Sequence, residues 1–203
     1  MWFEKRFREP TEAQIQGWPA ITSGRHTLIA APTGSGKTLA AFLTALDGLV
    51  RQALAPEGLI DGTQVLYVSP LKALANDIKM NLLDPLTEIS ALAEEMGTPL
   101  PEIRISVRTG DTSQKDRAFY LKHPPHVLIT TPETLFILLT SERGRNPLKS
   151  VHTLILDELH ALAANKRGSH MSISIERLCA LADGPITRIG LSATQNPIEE
   201  IAR

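Results

Sequence analysis

Six short apolar runs punctuate the chain, at His26–Ala30, Gln64–Ser69, Arg104–Arg108, His126–Thr130, Thr153–Asp157 and Thr187–Leu191. Each is rich in Val, Ile and Leu, and most lack the strict alternation of a strand with one wet face. Continuous apolar runs of this length predict strands buried on both faces, as in a parallel sheet covered by helices. Longer stretches with apolar residues three and four apart lie between them. Gly36 to about Ala55 carries Leu39, Phe42, Leu43, Leu46 and Leu49 at that spacing, and Leu71–Leu83, Ser113–Leu121, Glu133–Thr140 and Met171–Ala182 read similarly. Such alternation predicts βαβ units, and so an α/β domain with a mostly parallel sheet flanked by helices on both faces. Pro and Gly fall between the elements, as in Pro56-Glu57-Gly58, Gly97-Thr98-Pro99 and Pro124-Pro125, where turns are expected. No repeat, low-complexity tract or linker interrupts residues 1–203. The final Ile201-Ala202-Arg203 reads as the start of a helix, so the expectation is one domain cut from something longer.

Composition narrows the class. A chain of 203 residues can bury a core without disulfides or metals. With 42% hydrophobic and 21% charged residues it is globular and not disordered. The longest apolar runs are far too short to span a bilayer, and the charged, aromatic start at Met1 to Arg8 has no apolar stretch after it, so neither a membrane span nor a signal peptide is expected. The single cysteine, Cys179, excludes an internal disulfide framework and points to a reducing, cytoplasmic setting. A net charge of −1 excludes a large basic face on average. Binding to nucleic acid would rest on a few well-placed contacts.

The chemistry begins at Ala31 to Thr38, Ala-Pro-Thr-Gly-Ser-Gly-Lys-Thr, which follows a predicted strand and opens a predicted helix. That context and the Gly-Lys-Thr ending match a P-loop, with Ala31 in place of its first glycine. Gly34 and Gly36 let backbone N–H groups turn inward around phosphate oxygens, with Thr33 and Ser35 in the same loop. The helix N-terminus adds partial positive charge. Lys37 can reach the β- and γ-phosphates of ATP, and Thr38 can ligate Mg²⁺.

A second signal lies at Thr153 to His160, where a hydrophobic strand ends in Asp157 and Glu158. Strand geometry would point the two carboxylates to different sides at the carboxyl edge of the sheet, where open α/β folds bind ligands. Asp157 can hold Mg²⁺ through water, and Glu158 can orient and deprotonate an attacking water. Acids at a helix start are ordinary by themselves. Beside a phosphate loop the pair becomes a hydrolytic site.

Taken in order, these segments resemble the superfamily 2 DExH helicases in the form of their first RecA-like domain, and the resemblance runs nearly end to end. Pro10-Thr11-Glu12-Ala13-Gln14 is similar to the Q motif, Ala31–Thr38 to motif I, and Ser69-Pro70-Leu71-Lys72-Ala73-Leu74 to motif Ia. Arg108-Thr109-Gly110-Asp111-Thr112 resembles the Gly-containing segment that follows, and Thr131-Pro132-Glu133-Thr134-Leu135 resembles motif Ib. Asp157 to His160 resembles motif II and Ser192-Ala193-Thr194 motif III. Within the superfamily the resemblance is to the large helicase-related, or Lhr-like, family, through Trp2-Phe3, Trp18-Pro19-Ala20-Ile21, His160-Ala161-Leu162 and Asn165-Lys166-Arg167-Gly168.

The resemblance implies roles at matching positions. Gln14 is expected to read the adenine edge, since one amide both donates and accepts. Phe7, by spacing, is a candidate to stack on the base, with core packing as the alternative. Pro70, Lys72, Gly110, Thr131, Pro132 and Glu133 are expected along a track for single-stranded DNA or RNA, with a Thr-Pro turn offering a hydroxyl and N–H groups to one phosphate. His160, Ser192 and Thr194 are expected to couple the ATP site to the domain interface. The resemblance also implies 3′ to 5′ movement and a second RecA-like domain, with C-terminal regions, that these residues do not contain. An arginine finger from that domain is worth about 10³–10⁵ in rate in related enzymes, so the 203 residues are expected to lack unwinding alone. Two other readings compete: a stand-alone P-loop ATPase or kinase, which needs neither Gln14 nor Ser-Ala-Thr, and a non-catalytic nucleic-acid module, which needs neither Lys37 nor Glu158.

Overall fold

The structure is a computed structural model, and it describes residues 2–70, 78–163 and 166–194. Six strands form one sheet: β1 (Thr27–Ala30), β2 (Val65–Val68), β3 (Ile105–Arg108), β4 (Val127–Thr130), β5 (Thr153–Leu156) and β6 (Thr187–Ser192). Each coincides with a predicted apolar run to within one residue at either end. Their order is β1-β6-β5-β2-β4-β3, and every pairing is parallel.

Alternate residues of the continuous apolar strands bury on opposite faces. Val65 and Tyr67 join Phe42, Leu46, Leu49, Val127, Ile129, Ile155 and Ile189 in one cluster. Leu66 and Val68 join Leu128, Leu135, Leu138, Leu154, Leu156 and Leu178 in the other. Helices α2 (Glu12–Thr22) and α3 (Lys37–Ala53) cover the first face; α5 (Gln114–Lys122), α6 (Pro132–Thr140) and α9 (Lys166–Leu181) cover the second. Two buried faces explain why the central strands β2, β4 and β5 carry no polar alternation, whereas the edge strand β3, Ile105-Ser106-Val107-Arg108, alternates and buries none of its residues. The remaining helices are α1 (Trp2–Phe7), α4 (Asp84–Glu95), α7 (Glu142–Arg145) and α8 (Leu159–Ala163).

Several helices had no predicted counterpart. Helix α1 buries none of its residues, and α2 carries Gly17 and Pro19 in its interior, so neither shows a clean amphipathic stripe. Gly17 is a packing position: a Cβ there would stand 2.9 Å from Ile29 Cδ1, so its absence lets α2 close on β1. Most of the predicted helix Leu71–Leu83 lies outside the described residues; its end is a π-helical turn, Lys79–Leu83, that runs directly into α4. Helix α9 begins earlier than the predicted Met171, because its first turn is polar and carries no apolar periodicity.

Candidate functional site

The strand order places β6 between β1 and β5, so the loops leaving β1 and β5 meet at the same carboxyl edge. Gly36 caps α3 with φ +78°, and Gly34 also lies in the left-handed region at φ +81°. A Cβ on Gly36 would stand 2.5 Å from Gln14 Nε2, so glycine serves both the backbone turn and the close approach of α2. Lys37 begins the helix, is only 6% exposed, and donates from Nζ to Pro32 O at 3.3 Å. The loop bends its own lysine back across its concave side. Ala31 N donates to Ser192 O at 3.2 Å, tying the loop's first residue to the end of β6.

Gln14 is buried at 3% exposure. Its Oε1 accepts from Thr11 N at 2.9 Å, and its Nε2 donates to Gly36 O at 3.4 Å. Thr11 Oγ1 donates to Ser35 O at 2.6 Å. These bonds clamp the start of α2 onto the phosphate loop. One Oε1 lone pair and one Nε2–H of Gln14 stay available to a base.

Asp157 is 7% exposed, and its carboxylate is held at both oxygens: Glu158 N donates to Oδ1 at 2.8 Å, and Tyr67 donates its hydroxyl to Oδ2. The strand stops one residue short of the expected Asp157, so strand geometry does not set the two carboxylates apart. Strand β5 ends at Leu156, and Glu158 takes φ +52°, a left-handed turn that throws the chain into α8 (Leu159–Ala163). Leu159 packs where Gly190 leaves room, since a Cβ on Gly190 would meet Leu159 Cδ1 at 2.6 Å. The turn presents His160 between two motifs. Ala193 N donates to His160 Nδ1 at 3.1 Å, with Ser192 Oγ 3.5 Å away, and Nε2 stands 3.0 Å from Glu158 Oε2. A backbone N–H can only donate, so Nδ1 accepts and the ring proton sits on Nε2, facing the Glu158 carboxylate. Thr194 lies exposed just beyond this contact.

One cavity of about 540 Å³ joins these parts. Phe7, Gln14, Thr33, Gly34, Gly36, Lys37, Thr38, Asp157 and Glu158 all line it. Ser35 does not; it lines a neighbouring cavity between α2 and β1. Arg6, Met80 and Asn81 line the first cavity too, and no motif pointed to them. Tyr67 was also missed, although a hydroxyl in the otherwise aliphatic run Val65-Leu66-Tyr67-Val68 was a visible signal. The residues fit a nucleotide triphosphate: a glycine cradle, a buried cation, and two oxygen ligands, Thr38 and Asp157, of the kind Mg²⁺ takes alongside phosphate oxygens and water.

The expected strand track is assembled separately. Thr131 caps α6, but its hydroxyl accepts from Thr134 N at 3.4 Å and donates to Thr134 Oγ1 at 3.2 Å. The hydroxyl expected to meet a phosphate therefore serves its own helix, because Pro132 at the next position leaves Thr134 N as the donor to be capped. Arg167 at the start of α9 donates from Nε to Glu133 Oε1 at 2.7 Å and from Nη2 to Pro70 O at 3.3 Å. It straps together residues 97 and 34 positions upstream. Burial works to raise the Glu133 carboxyl, but hydrogen bonds from Arg167 and its own backbone outweigh that and hold it below the usual carboxylate range. Gly110 is exposed, and its carbonyl accepts from Arg117 Nη2 at 2.7 Å. Lys72 lies outside the described residues.

Residues 11–201 match the DEAD/DEAH box helicase family. The chain belongs to that family. Among similar proteins, "Lhr helicase/ probable uracil glycosylase" of Mycolicibacterium smegmatis is 56% identical over 202 residues, covering 100% of this chain and 13% of that protein. "ATP-dependent helicase Lhr-Core protein 2" of Thermococcus barophilus is 52% identical over 203 residues, covering 100% of this chain and 23% of that protein. The structure of Mycobacterium smegmatis helicase Lhr bound to ssDNA and AMP-PNP superposes with a TM-score of 0.91 at 55% identity, over all of this chain and 25% of that one. This helicase domain thus has the RecA-like fold and spans a quarter or less of the length of these relatives. No helix among its described residues is long and apolar enough to cross a membrane.

Proposed function

We propose that this domain is the ATP-binding half of an Lhr-like helicase that couples ATP hydrolysis to movement along single-stranded DNA. The observation that carries this reading is the single cavity in which the phosphate loop, Gln14 and the Asp157–Glu158 pair converge. Gly34, Gly36 and Lys37 would hold the triphosphate, Gln14 and Phe7 the adenine, and Thr38 and Asp157 the Mg²⁺. Bound Mg²⁺ would neutralise charge on the β- and γ-phosphates. Glu158 would take the proton of the attacking water, with His160 Nε2–H holding its carboxylate in place. His160 also bonds the backbone of Ala193, so any shift of Glu158 during hydrolysis would be felt at the end of β6. Ser192 and Thr194 lie where such a shift would leave the domain.

The choice of single-stranded DNA over RNA follows the similar Lhr helicase, whose structure holds ssDNA and AMP-PNP. Pro70, Lys72, Gly110 and the Thr131–Glu133 turn would form the track. A second RecA-like domain and C-terminal regions of the parent polypeptide would supply the opposite wall and the arginine that meets the developing charge. A nucleic-acid motor whose ATP-binding domain carries Cys179 as a free thiol would belong in a reducing cytoplasm. The deciding measurement is ATPase of the parent polypeptide with and without single-stranded DNA or RNA. Stimulation by DNA above that by RNA is expected. Equal turnover with no strand at all would instead make this a stand-alone ATPase.

A further inference from the structure

The nucleotide cavity has a wall that neither the phosphate loop nor the acid pair supplies. Helix α1 (Trp2–Phe7) contributes Arg6 and Phe7 to the lining, yet it buries none of its own residues. Six residues are far too few for a helix to persist by itself in water, so contacts elsewhere must hold it. They converge on one carboxylate. Glu88, in α4, accepts from Trp2 Nε1 at 2.7 Å on Oε2 and pairs with the Arg6 guanidinium through Oε1. A ladder of rings completes the seat: Phe3 packs edge-on against Trp18 of α2 at 5.2 Å, and Phe7 lies 5.1 Å from Phe3 and 5.9 Å from Trp2. The Arg6 guanidinium sits 5.7 Å over the Phe7 ring. Phe7 itself is 40% exposed and lines the cavity with Gln14 and Gly36.

We infer that Glu88 is a positioning residue for the nucleotide base: by clasping Trp2 and Arg6 it holds α1 across the cavity so that Phe7 meets the base. Glu88 does not line the nucleotide cavity; it lines the hollow on the other side of α1, with Trp2 and Arg6. Its effect must therefore pass through α1. Releasing the clasp frees Phe7 while the phosphate loop, held by Gln14 and Thr11, stays as it is. Loss of Glu88 should then weaken ligands that carry a base and spare those that are only phosphate. This rests on the reading of the cavity as a nucleotide site. It differs from the role proposed for Gln14, since stacking favours adenine and guanine alike.

The chain carries its own reporters. Its two tryptophans, Trp2 and Trp18, both lie on this path. The test is a titration of wild type and Glu88→Gln with ATP, GTP and inorganic tripolyphosphate, each with Mg²⁺, read by tryptophan emission and by calorimetry. Glu88→Gln should bind ATP and GTP about three- to tenfold more weakly, the scale of one aromatic contact. Tripolyphosphate affinity should not change, and emission before any addition should shift to the red as Trp2 loosens. Trp2→Phe, which keeps a ring and removes only the donor, should lose affinity in the same direction but less. A wild-type preference for ATP over tripolyphosphate that survives Glu88→Gln intact would overturn the clasp alone. Equal loss of ATP and tripolyphosphate would show that Glu88 only supports the fold. If wild type binds ATP no better than tripolyphosphate, the base has no place in the cavity, and the clasp falls together with the proposed adenine contacts.

Discussion

The nucleotide cavity and the proposed strand track sit on one sheet edge but hold their charged groups differently. In the cavity three polar side chains are buried and already partnered, while Thr33 is exposed and Thr38 and Glu158 are half-buried. Gln14, Lys37 and Asp157 are 3%, 6% and 7% exposed; Gln14 is held by the Gly36 carbonyl and Asp157 by the Tyr67 hydroxyl of other segments, and Lys37 by the Pro32 carbonyl of its own loop. On the proposed track burial is mixed: Pro70, Thr131 and Pro132 are buried, whereas the charged group and one backbone turn lie at the surface. The Glu133–Arg167 pair has side chains 54% and 46% exposed, and Gly110 is exposed. The difference fits the chemistry proposed for each. Charge stabilisation during hydrolysis needs donors fixed in a dry site, where they are worth most. A strand that must be gripped and released needs contacts that are individually weak and solvated. A net charge of −1 is compatible with binding nucleic acid, since the proposed track would rely on a few dipoles and not on a basic field.

Mutations in the two regions should separate by size and by ligand. The largest effect is expected for Glu158→Gln in the parent polypeptide. The amide keeps the shape but cannot take the proton, so kcat should fall by about 10²–10⁴ while ATP still binds. Steady-state turnover within a factor of about two of wild type would remove Glu158 from the base role. Next comes Lys37→Ala, which should weaken ATP by about ten- to a hundredfold, the scale of one charge-assisted hydrogen bond, and leave strand binding without nucleotide unchanged. Calorimetry with ATP and anisotropy with a labelled single strand would read the two sides independently.

The track should answer with smaller changes. Arg167→Gln cuts the strap to Glu133 and Pro70, and should lower strand affinity by only about two- to fivefold, with nucleotide affinity intact. A loss of a hundredfold would mean that the track is as pre-organised as the cavity. The smallest effect is a pH dependence. Glu133 is held below its ordinary carboxyl value when folded, so its contribution to stability is present above the unfolded value and lost as pH falls through the lower folded one. The difference in thermal midpoint between wild type and Glu133→Gln should therefore be seen near neutrality and vanish as pH drops through the carboxylate range. A difference that persists at acid pH would show that packing, not charge, holds the strap.

Much of this was legible along the chain. Six apolar runs located the six strands to within a residue, most plainly for β2, β4 and β5, because strands buried on both faces must be nearly continuously apolar. The phosphate loop and the Asp-Glu pair were legible because their chemistry needs particular residue types at a fixed local spacing. The helices α1 and α2 were not, since one is unburied and the other is interrupted by Gly17 and Pro19. Only the tertiary structure decided the rest. Parallel pairing in the order β1-β6-β5 brought the two motif loops to one cavity. The same folding set Tyr67 on Asp157 across 90 residues, His160 between Glu158 and Ala193, and Glu88 beneath Trp2 and Arg6 more than 80 residues away. Local periodicity reports which face of an element is buried. It carries no record of which distant side chain will lie against that face, because such contacts exist only once the sheet has chosen its strand order.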